Sequence, residues 1–477
     1  MTLGVRKLCR YLFLWTAALA AVLLLAIFFG LRGALLSATH LIASATVILA
    51  ALVLGHRLMY RPRPRKIPVL MYHSVADDFP QYPDQQIVMS TGLFERQLAW
   101  LDRRGFVTLH LGELLDGLEG RAPLPRHAVC LTFDDGLLDN WVNVFPLLRR
   151  YGMKATLFLA TDFIEEGRTT RLTADDVRAG RVNGDALRWD GYVNWKEVEA
   201  MRQSGLVEFM PHSCSHDWAF TGAEVIDFHH PGDGRFWLRW LDNPQCKSRW
   251  LEQGEGLDAG LGRPIYPSDR SMVGPAWIED AGLRSRCEAE VSAGGGPSFF
   301  DDDGWRDRLE AVVAEYREGH PEAGRLETGG EYRERVLDEL QRCRRLLQAR
   351  TGEPADVFCW PGERFSEEAL RLAFEEVGYR AVTCLDGENI AGGPARQICR
   401  KIAQEVFRHA GLPWLDMLLF AANVRALEGN YYAFLVEFPL NRLKNLVLRR
   451  RSADRPVLSC GAGVLPATRS TGTNGTV

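Results

Sequence analysis

Short apolar runs alternate with longer amphipathic segments through the middle of the chain. The short runs are bounded by polar residues, Gly or Pro, which is typical of buried β-strands. They predict strands at Val69–Met71, Val129–Phe133, Ala155–Leu159, Val207–Met210, Val357–Trp360 and Ala381–Thr383. The amphipathic segments predict helices at Phe94–Arg104, Trp141–Tyr151, Trp195–Ser204, Tyr332–Arg350 and Ser366–Val377. Strand and helix in alternation indicate an α/β fold with a parallel sheet, which we expect to close into a barrel.

The N-terminus has a different pattern. Two uncharged apolar runs, 11–31 and 33–55, are each long enough to cross the roughly 30 Å hydrocarbon core of a bilayer as a helix. We expect a transmembrane helical hairpin, followed by a basic linker in which Arg and Pro alternate. Together the hairpin and the linker comprise residues 1–66.

The alternation is also interrupted inside the body. Residues 219–330 are rich in Gly, Trp and acidic side chains, and we interpret them as an insertion on the rim of the barrel. The barrel then comprises residues 67–218 and 331–410. Residues 411–451 predict a C-terminal helical segment whose basic face suits either a membrane surface or ordinary solvent. Residues 452–477 predict a disordered tail.

Charge is distributed unevenly along the chain. Residues 1–66 hold nine of the 57 Lys and Arg residues and none of the 61 Asp and Glu residues, so the remainder carries a formal charge of −13. An acidic body argues against nucleic acid as a partner, because phosphate binding needs a basic surface. Basic residues flank both ends of the hairpin, which predicts a body on the cytoplasmic face of a bacterial inner membrane. The alternative is a signal sequence or single anchor that delivers a periplasmic domain.

Residues that could carry chemistry lie at the ends of predicted strands. Asp134, Asp135 and Gly136 directly follow the strand that ends at Phe133. Barrel enzymes keep their active sites at this end of their strands. One carboxylate can bind a metal while its neighbour acts as a base, and the glycine lets the backbone turn sharply. By itself, an Asp-Asp-Gly sequence is more typical of a turn than of a site.

A pair of histidines strengthens the case for a site. His212 and His216 follow the strand at 207–210, and on a helical turn residues four apart face the same side. Two imidazoles and one carboxylate, with positions left for water and substrate, are the ligands of a catalytic first-row metal. His73 follows the first predicted strand almost at once. A lone histidine would more often be a buried structural group, but that explanation fits the pair less well.

These segments resemble the polysaccharide deacetylase family, which is carbohydrate esterase family four. The resemblance rests on TFDDG at 132–136 and HSCSH at 212–216. MYHSV at 71–75 is similar to the branch that deacetylates bacterial surface polyglucosamine. The resemblance covers residues 67–216 and resumes at 332–405. It leaves the N-terminal hairpin, the insertion and the C-terminal segment without a counterpart.

The resemblance implies a fold and a role for individual residues. The implied fold is a distorted (β/α)7-type barrel. A divalent metal, zinc with cobalt or nickel as alternatives, would be held by Asp135, His212 and His216. Asp134 would be the general base that takes a proton from the attacking water. His73 would be the general acid, which is needed because an amine leaves an amide only when protonated.

The oxyanion that forms in such a reaction needs hydrogen-bond donors. The candidates are Gly136, Trp360, Pro361 and Gly362. Many family members have an arginine just before this proline that orients the base, whereas this chain has a Cys-Trp pair there. Arg400 is the candidate replacement.

The resemblance and the expected membrane location together predict a reaction. We expect metal-dependent removal of an N-acetyl group from an N-acetylhexosamine of a bacterial surface glycolipid, either lipopolysaccharide core or a lipid-linked intermediate. The expected partners are this glycan or glycolipid and the lipid bilayer. A periplasmic deacetylase of peptidoglycan or exopolysaccharide is one alternative, and a non-catalytic glycan-binding membrane protein is another. The presence of the full set of site residues argues against the non-catalytic alternative.

Overall fold

Strands and helices alternate through most of the chain, and all six predicted strands are present. The computed structural model describes residues 46–47, 49–50, 53–54, 66–77, 87–249, 260–385, 387–393 and 395–453. The strands are β1 (Val69–Tyr72), β2 (Ser74–Val75), β3 (Val88–Met89), β4 (Val107–Leu109), β5 (Ala128–Phe133), β6 (Ala155–Leu159), β7 (Val207–Pro211), β8 (Trp218–Phe220), β9 (Asp227–Phe228), β10 (Pro264–Ile265), β11 (Ser268–Arg270), β12 (Trp277–Ile278), β13 (Arg325–Leu326), β14 (Val357–Phe358), β15 (Ala381–Cys384), β16 (Gln397–Cys399) and β17 (Lys401–Ile402). The α-helices are α1 (Thr91–Arg103), α2 (Leu111–Leu118), α3 (Phe145–Tyr151), α4 (Ala174–Arg178), α5 (Trp195–Gln203), α6 (Leu238–Asp242), α7 (Ala281–Ala293), α8 (Trp305–Gly319), α9 (Gly329–Thr351), α10 (Glu367–Glu375), α11 (Pro413–Leu427) and α12 (Phe434–Ala453).

Six parallel strands form the central sheet. Its order is β17-β1-β5-β6-β7, and β4 pairs with the first residues of β5. The register places Phe133 opposite Tyr72 on one side and opposite Leu157 on the other. Every residue of β5 is buried, as expected for a parallel strand that is covered on both faces. Because these strands run in one direction, their carboxyl ends meet at one edge of the sheet.

A second, three-stranded parallel sheet has the order β14-β15-β16. It meets the central sheet at two seams. At one seam, the N–H of Cys359 donates to the carbonyl oxygen of Pro211 at 3.0 Å. At the other, the chain passes from β16 into β17 through Arg400, whose N–H donates to the carbonyl oxygen of Cys384 at 2.8 Å. Arg400 is therefore placed where the two sheets join.

The long helix α9 shows how the helices attach to this core. Its buried residues recur every three or four positions, which gives the helix one apolar face. That face packs in a cluster with Phe358, Trp360 and Val382 of the second sheet. The helix begins with a capping box between Thr328 and Glu331, and it ends where the chain turns at a glycine.

Residues 219–330, which we interpreted as an insertion, differ from the two parallel sheets in the pairing of their strands. Their strands form antiparallel pairs, β8 with β11, β9 with β10, and β12 with β13. Much of this segment packs around a core of its own, which consists of Phe228, Leu261, Leu283, Cys287, Val291, Phe299, Leu309 and Val313. Trp237 and Trp240 belong instead to the main core, so the insertion is packed onto the barrel as well.

The predicted fold class needs correction. We expected a distorted (β/α)7-type barrel with a large insertion, preceded by an N-terminal transmembrane hairpin. No helix among the described residues is both long and apolar enough to cross a membrane, so the structure does not support the hairpin. Most of residues 1–66 and most of the predicted tail, 452–477, lie outside the described residues. The parallel strands form two sheets and not one continuous closed sheet.

Candidate active site

The predicted site residues follow the carboxyl ends of parallel strands. Asp134 and Asp135 follow β5, His212 follows β7, and His73 follows β1. Arg400 lies between β16 and β17. Since β1, β5 and β7 belong to one parallel sheet, their carboxyl ends bring these side chains to the same edge.

Asp135, His212 and His216 form a candidate metal centre. Oδ1 of Asp135 lies 3.4 Å from Nε2 of His212 and 3.4 Å from Nε2 of His216. The three ligand atoms all lie within 4.8 Å of one another. One carboxylate oxygen and two imidazole nitrogens form a set that a divalent first-row metal binds while positions remain for water and substrate.

The hydrogen bond of His212 fits this role. Its Nδ1 lies 3.0 Å from the carbonyl oxygen of Cys359, which can only accept, so Nδ1 carries the proton. In the neutral ring the lone pair is then on Nε2, the atom that faces Asp135. Histidines that bind metals are commonly oriented by such a carbonyl group. The donor set at His212 is thus ready for a metal.

His216 is held in a different way. Arg270, from β11 of the insertion, places Nη1 3.2 Å from Nδ1 of His216 and 3.3 Å from the His216 carbonyl oxygen. A guanidinium group only donates, so here Nδ1 accepts and Nε2 carries the proton. Metal binding through Nε2 requires the other tautomer, with Arg270 donating to the carbonyl oxygen alone. The donors at His216 fit a metal after this one rearrangement.

Unusual backbone conformations are concentrated at the site. Among the described residues, four other than glycine have positive φ: Asp135, Ser213, His216 and Glu363, at 72°, 67°, 52° and 56°. Such residues are uncommon, and they persist where the surroundings hold them in place. The prediction that His212 and His216 lie on one helical turn is wrong, because their loop contains two left-handed residues.

Gly136 lets the chain turn directly after the two carboxylates. Its φ is 76°. A Cβ atom at this position would lie 2.7 Å from Cδ2 of Leu159 and 3.1 Å from Cδ1 of Ile164. Glycine is therefore required both by the backbone and by the packing. A role for Gly136 in binding an oxyanion stays a prediction.

Arg400 binds Asp134 through two parallel hydrogen bonds. Nη1 lies 2.6 Å from Oδ1 and Nη2 lies 2.8 Å from Oδ2, and both side chains are buried. Burial raises the pKa of Asp134, but the charge and hydrogen bonds of Arg400, together with the nearby His212 and His73, outweigh burial, so the net pKa lies below its usual value. Glu363 also pairs with Arg400. Because Arg400 engages both oxygens of Asp134, we assign the metal to Asp135 and not to the cluster that Asp134 forms with Cys359.

His73 lies beside this pair and remains partly accessible. Its Nε2 is 3.8 Å from Oδ2 of Asp134, and 17% of its side chain is exposed. An accessible imidazole next to a carboxylate can give a proton to a departing group. On the following residue, Ser74 Oγ donates to Oδ2 of Asp139 at 2.5 Å. Burial raises the pKa of Asp139 to about 7.

The turn predicted to bind the oxyanion follows β14. The Trp360 side chain is fully buried, so it cannot contact a substrate. Its N–H lies 3.4 Å from Oγ1 of Thr383, and Pro361 has no N–H to offer. Gly362 has a φ of 61° and packs against Arg270. A contribution from this turn would have to come from its backbone, and it stays a prediction.

Three residues at the site were missed by sequence reasoning. Glu363, the second partner of Arg400, comes directly after the Trp-Pro-Gly turn, and that position was the available signal. Arg270 and Lys247 both contact the His216 loop from the insertion. No pattern could have found these two, because Arg270 is 54 positions from His216 along the chain.

Among known proteins, a family model matches the part of the chain that contains β5 and β7. The family model described as polysaccharide deacetylase matches residues 121–230, which include both candidate carboxylates, His212 and His216. The chain contains a polysaccharide deacetylase domain. The match ends at residue 230, so β14–β17 lie beyond the matched segment.

Curated relatives of the deacetylase domain match only part of this chain. A Bacillus subtilis protein named as a polysaccharide deacetylase, YxkH, is 33% identical over 125 residues, which is 26% of this chain and 42% of the relative. The poly-β-1,6-N-acetyl-D-glucosamine N-deacetylase of Escherichia coli K12 is 26% identical over 150 residues, which is 31% of this chain and 20% of the relative. The chain thus spans less than half the length of these relatives.

Solved structures of deacetylases also resemble the chain. The BpsB deacetylase domain from Bordetella bronchiseptica is 19% identical, covers 72% of this chain and 98% of its own, and gives a TM-score of 0.41. A de-N-acetylase from Aggregatibacter actinomycetemcomitans is also 19% identical, covers 70% and 94%, and gives 0.40. Scores of this size support no argument about what the deacetylase domain does.

Proposed function

We propose that this protein is a metal-dependent hydrolase that removes N-acetyl groups from N-acetylglucosamine residues of an exopolysaccharide. The observation that carries the proposal is the placement of two adjacent carboxylates in separate roles. Asp134 is held by Arg400, while Asp135 faces two imidazoles. A base beside a candidate metal centre is what hydrolysis of an amide requires.

The reaction breaks the amide C–N bond and yields acetate and a free amine. A divalent metal at Asp135, His212 and His216 would polarise the carbonyl and lower the pKa of water. Asp134 takes the proton from the attacking water, for which its oxygens keep lone pairs beyond those used by Arg400. Arg400 keeps Asp134 ionised and fixes its direction. His73 gives a proton to the departing nitrogen.

The choice of substrate follows the relatives. The Escherichia coli relative and several Staphylococcus aureus relatives are named as poly-β-1,6-N-acetyl-D-glucosamine N-deacetylases. These names favour exopolysaccharide, the first alternative from the sequence, over lipopolysaccharide core. No relative described above is named for lipopolysaccharide. The side of the membrane on which the chain acts stays a prediction.

The test is to incubate the full chain with poly-β-1,6-N-acetylglucosamine oligomers and a divalent metal, and to follow the loss of acetyl groups by mass spectrometry. We expect acetyl loss with the native chain and a loss about 10²- to 10⁴-fold slower with Asp134→Asn. Asp303→Asn changes an exposed carboxylate of the insertion and serves as the matched control. Acetyl loss that is equal in Asp134→Asn and the native chain would reject this mechanism.

A further inference from the structure

Lys247 is a buried cation that the proposed chemistry does not use. Only 1% of its side chain is exposed. It lies in the insertion, on the short 3-10 helix Pro244–Arg249. We propose that Lys247 is a positioning residue that holds the loop of His216 in its metal-binding conformation, so that the insertion is a working part of the metal centre. This inference rests on the metal site of the proposed function.

The backbone N–H and C=O groups of the loop from His212 to Asp217 do not all find hydrogen-bond partners within the loop. It forms neither helix nor strand. Two of its residues, Ser213 and His216, have positive φ. A buried loop in this conformation needs hydrogen-bond partners from outside, because unpaired backbone groups away from water cost free energy. The conformation in which the loop presents His212 and His216 therefore depends on hydrogen bonds with residues outside the loop.

An anion binds the N–H groups of this loop. Oε1 of Glu339, on α9, accepts from the N–H of Cys214 at 2.8 Å, from the N–H of Ser215 at 2.6 Å and from the Ser215 hydroxyl at 2.8 Å. The N–H of His216 donates to Oγ of Ser213 at 2.9 Å. Glu339 thus accepts from two N–H groups that lie next to each other in the loop.

A cation binds the opposite side. Nζ of Lys247 donates to the carbonyl oxygen of Ser215 at 2.9 Å and to Oδ1 of Asp217 at 2.7 Å. The ammonium group also lies 5.7 Å from the ring centroid of Phe163. Next along the loop, Nη1 of Arg270 lies 3.3 Å from the carbonyl oxygen of His216. The insertion thus supplies donors to the carbonyl oxygens of Ser215 and His216.

The burial of Lys247 indicates that these bonds matter. An ammonium group taken out of water is costly unless good acceptors replace the water. The two acceptors that Lys247 binds here both belong to the loop, at Ser215 and Asp217, which flank His216 directly. The bonds therefore hold the backbone before His216 and the side chain after it.

The experiment measures cobalt binding by the full chain without substrate. Lys247→Met keeps the length of the side chain and removes the donors. We expect cobalt affinity to fall about 10- to 100-fold, the usual effect of removing a group that orients a metal ligand. The visible absorption of the bound cobalt should change in shape, which a loss of general stability would not cause. Arg249→Met, on the same 3-10 helix with 65% of its side chain exposed, is the matched control and should bind cobalt like the native chain.

A second variant separates the loss of the donors from the effect of an unpaired carboxylate. Lys247→Met combined with Asp217→Asn leaves no unpaired charge, and we expect it to remain weak in cobalt binding. Hydrogen exchange at the amides of 214–217 should be faster in both variants than in Arg249→Met. Native affinity with unchanged exchange in Lys247→Met would overturn the proposal, and so would a native chain that binds no cobalt. A chain that binds cobalt in the expected way but releases no acetyl group would reject only the proposed function.

Discussion

Asp134 and Asp135 are adjacent in the chain, yet their surroundings have little in common. Both carboxylate oxygens of Asp134 accept hydrogen bonds from Arg400. Asp134 directly follows the regular strand β5. Asp135 has a φ of 72° and faces the Nε2 atoms of His212 and His216. A change of backbone direction between two consecutive residues therefore produces two chemical environments.

The difference shows that partners, and not burial, set the roles of these carboxylates. Burial raises the pKa of each. For Asp134 the interactions led by the charge of Arg400 together outweigh burial, and for Asp135 the interactions with His212, His216 and His73 together do so. Both pKa values end below the usual value, so both groups are ionised. Asp134 is paired with the fixed positive charge of Arg400, whereas Asp135 faces two imidazoles that could bind the same metal.

The largest expected effect comes from separating the two roles. Asp134→Asn should lower the rate of deacetylation by about 10²- to 10⁴-fold, the range for loss of a general base, and should leave metal affinity nearly unchanged. Asp135→Asn should lower metal affinity by more than the roughly 10- to 100-fold that outer partners contribute. Activity assays and cobalt titration of both variants measure the contrast. Equal metal affinity in the two variants would contradict the assignment of the metal to Asp135.

Removing Arg400 tests whether Asp134 depends on its cation. Arg400→Met leaves Asp134 and Glu363 buried without the cation that pairs with both, and loss of one member of a buried pair costs about 3–5 kcal/mol. We expect a loss of this size in the free energy of unfolding by urea, together with a loss of activity. Arg364→Met breaks a half-exposed pair with Asp269 and should cost no more than about 1 kcal/mol. Equal losses of unfolding free energy in Arg400→Met and Arg364→Met would show that the buried pair contributes no more to stability than the more exposed pair.

The same comparison explains how much of the site was predictable. Asp134, Asp135, His212 and His73 were found because each follows a strand directly, and the carboxyl ends of parallel strands meet at one edge. Periodicity located those strands within one or two residues. The positive φ values that aim the side chains have no signal in residue type.

Residues that act through the fold were harder to predict. Arg400 was a candidate because a family position lacked its arginine, and the structure brings it to Asp134. Lys247 and Arg270 belong to an insertion whose antiparallel strands follow no pattern of the barrel. The expected transmembrane hairpin rested on apolar length alone. Long-range pairing between common residue types cannot be inferred from one sequence.

A third carboxylate, Asp139, sharpens the comparison because the groups that lower its pKa are hydrogen-bond donors and not cations. Burial raises its pKa from 3.8 to about 7, although Ser74, Val75 and Asn140 donate hydrogen bonds to it. Below the unfolded value Asp139 is protonated in both states, and its contribution to stability is complete. As the pH rises toward 7 the unfolded chain ionises first, so this contribution is lost.

We therefore expect Asp139→Asn to change how stability depends on pH. Between about pH 4 and pH 7 the native chain should lose free energy of unfolding relative to the variant. The loss is at most about 4 kcal/mol, at about 1.36 kcal/mol per pKa unit. Urea unfolding at several pH values measures it, with Asp303→Asn as the exposed control. Parallel pH profiles for the native chain and Asp139→Asn would show that Asp139 does not titrate in this range.

The smallest expected effect concerns Arg270, the cation beside His216. Arg270 donates toward Nδ1 of His216, which favours the tautomer with a proton on Nε2. Its charge also opposes a metal cation nearby. Arg270→Met should therefore raise cobalt affinity by up to about fivefold, since about 1 kcal/mol is the upper end for partly exposed charges.

Arg270→Lys keeps the charge and loses the planar fork, so it separates the two causes. If charge dominates, its cobalt affinity should stay near that of the native chain. If the tautomer dominates, it should move toward that of Arg270→Met. Weaker cobalt binding in Arg270→Met would contradict both causes, because Arg270 would then support the loop through the His216 carbonyl oxygen, as Lys247 does through Ser215. The metal side of the site would in that case depend on insertion cations as fully as Asp134 depends on Arg400.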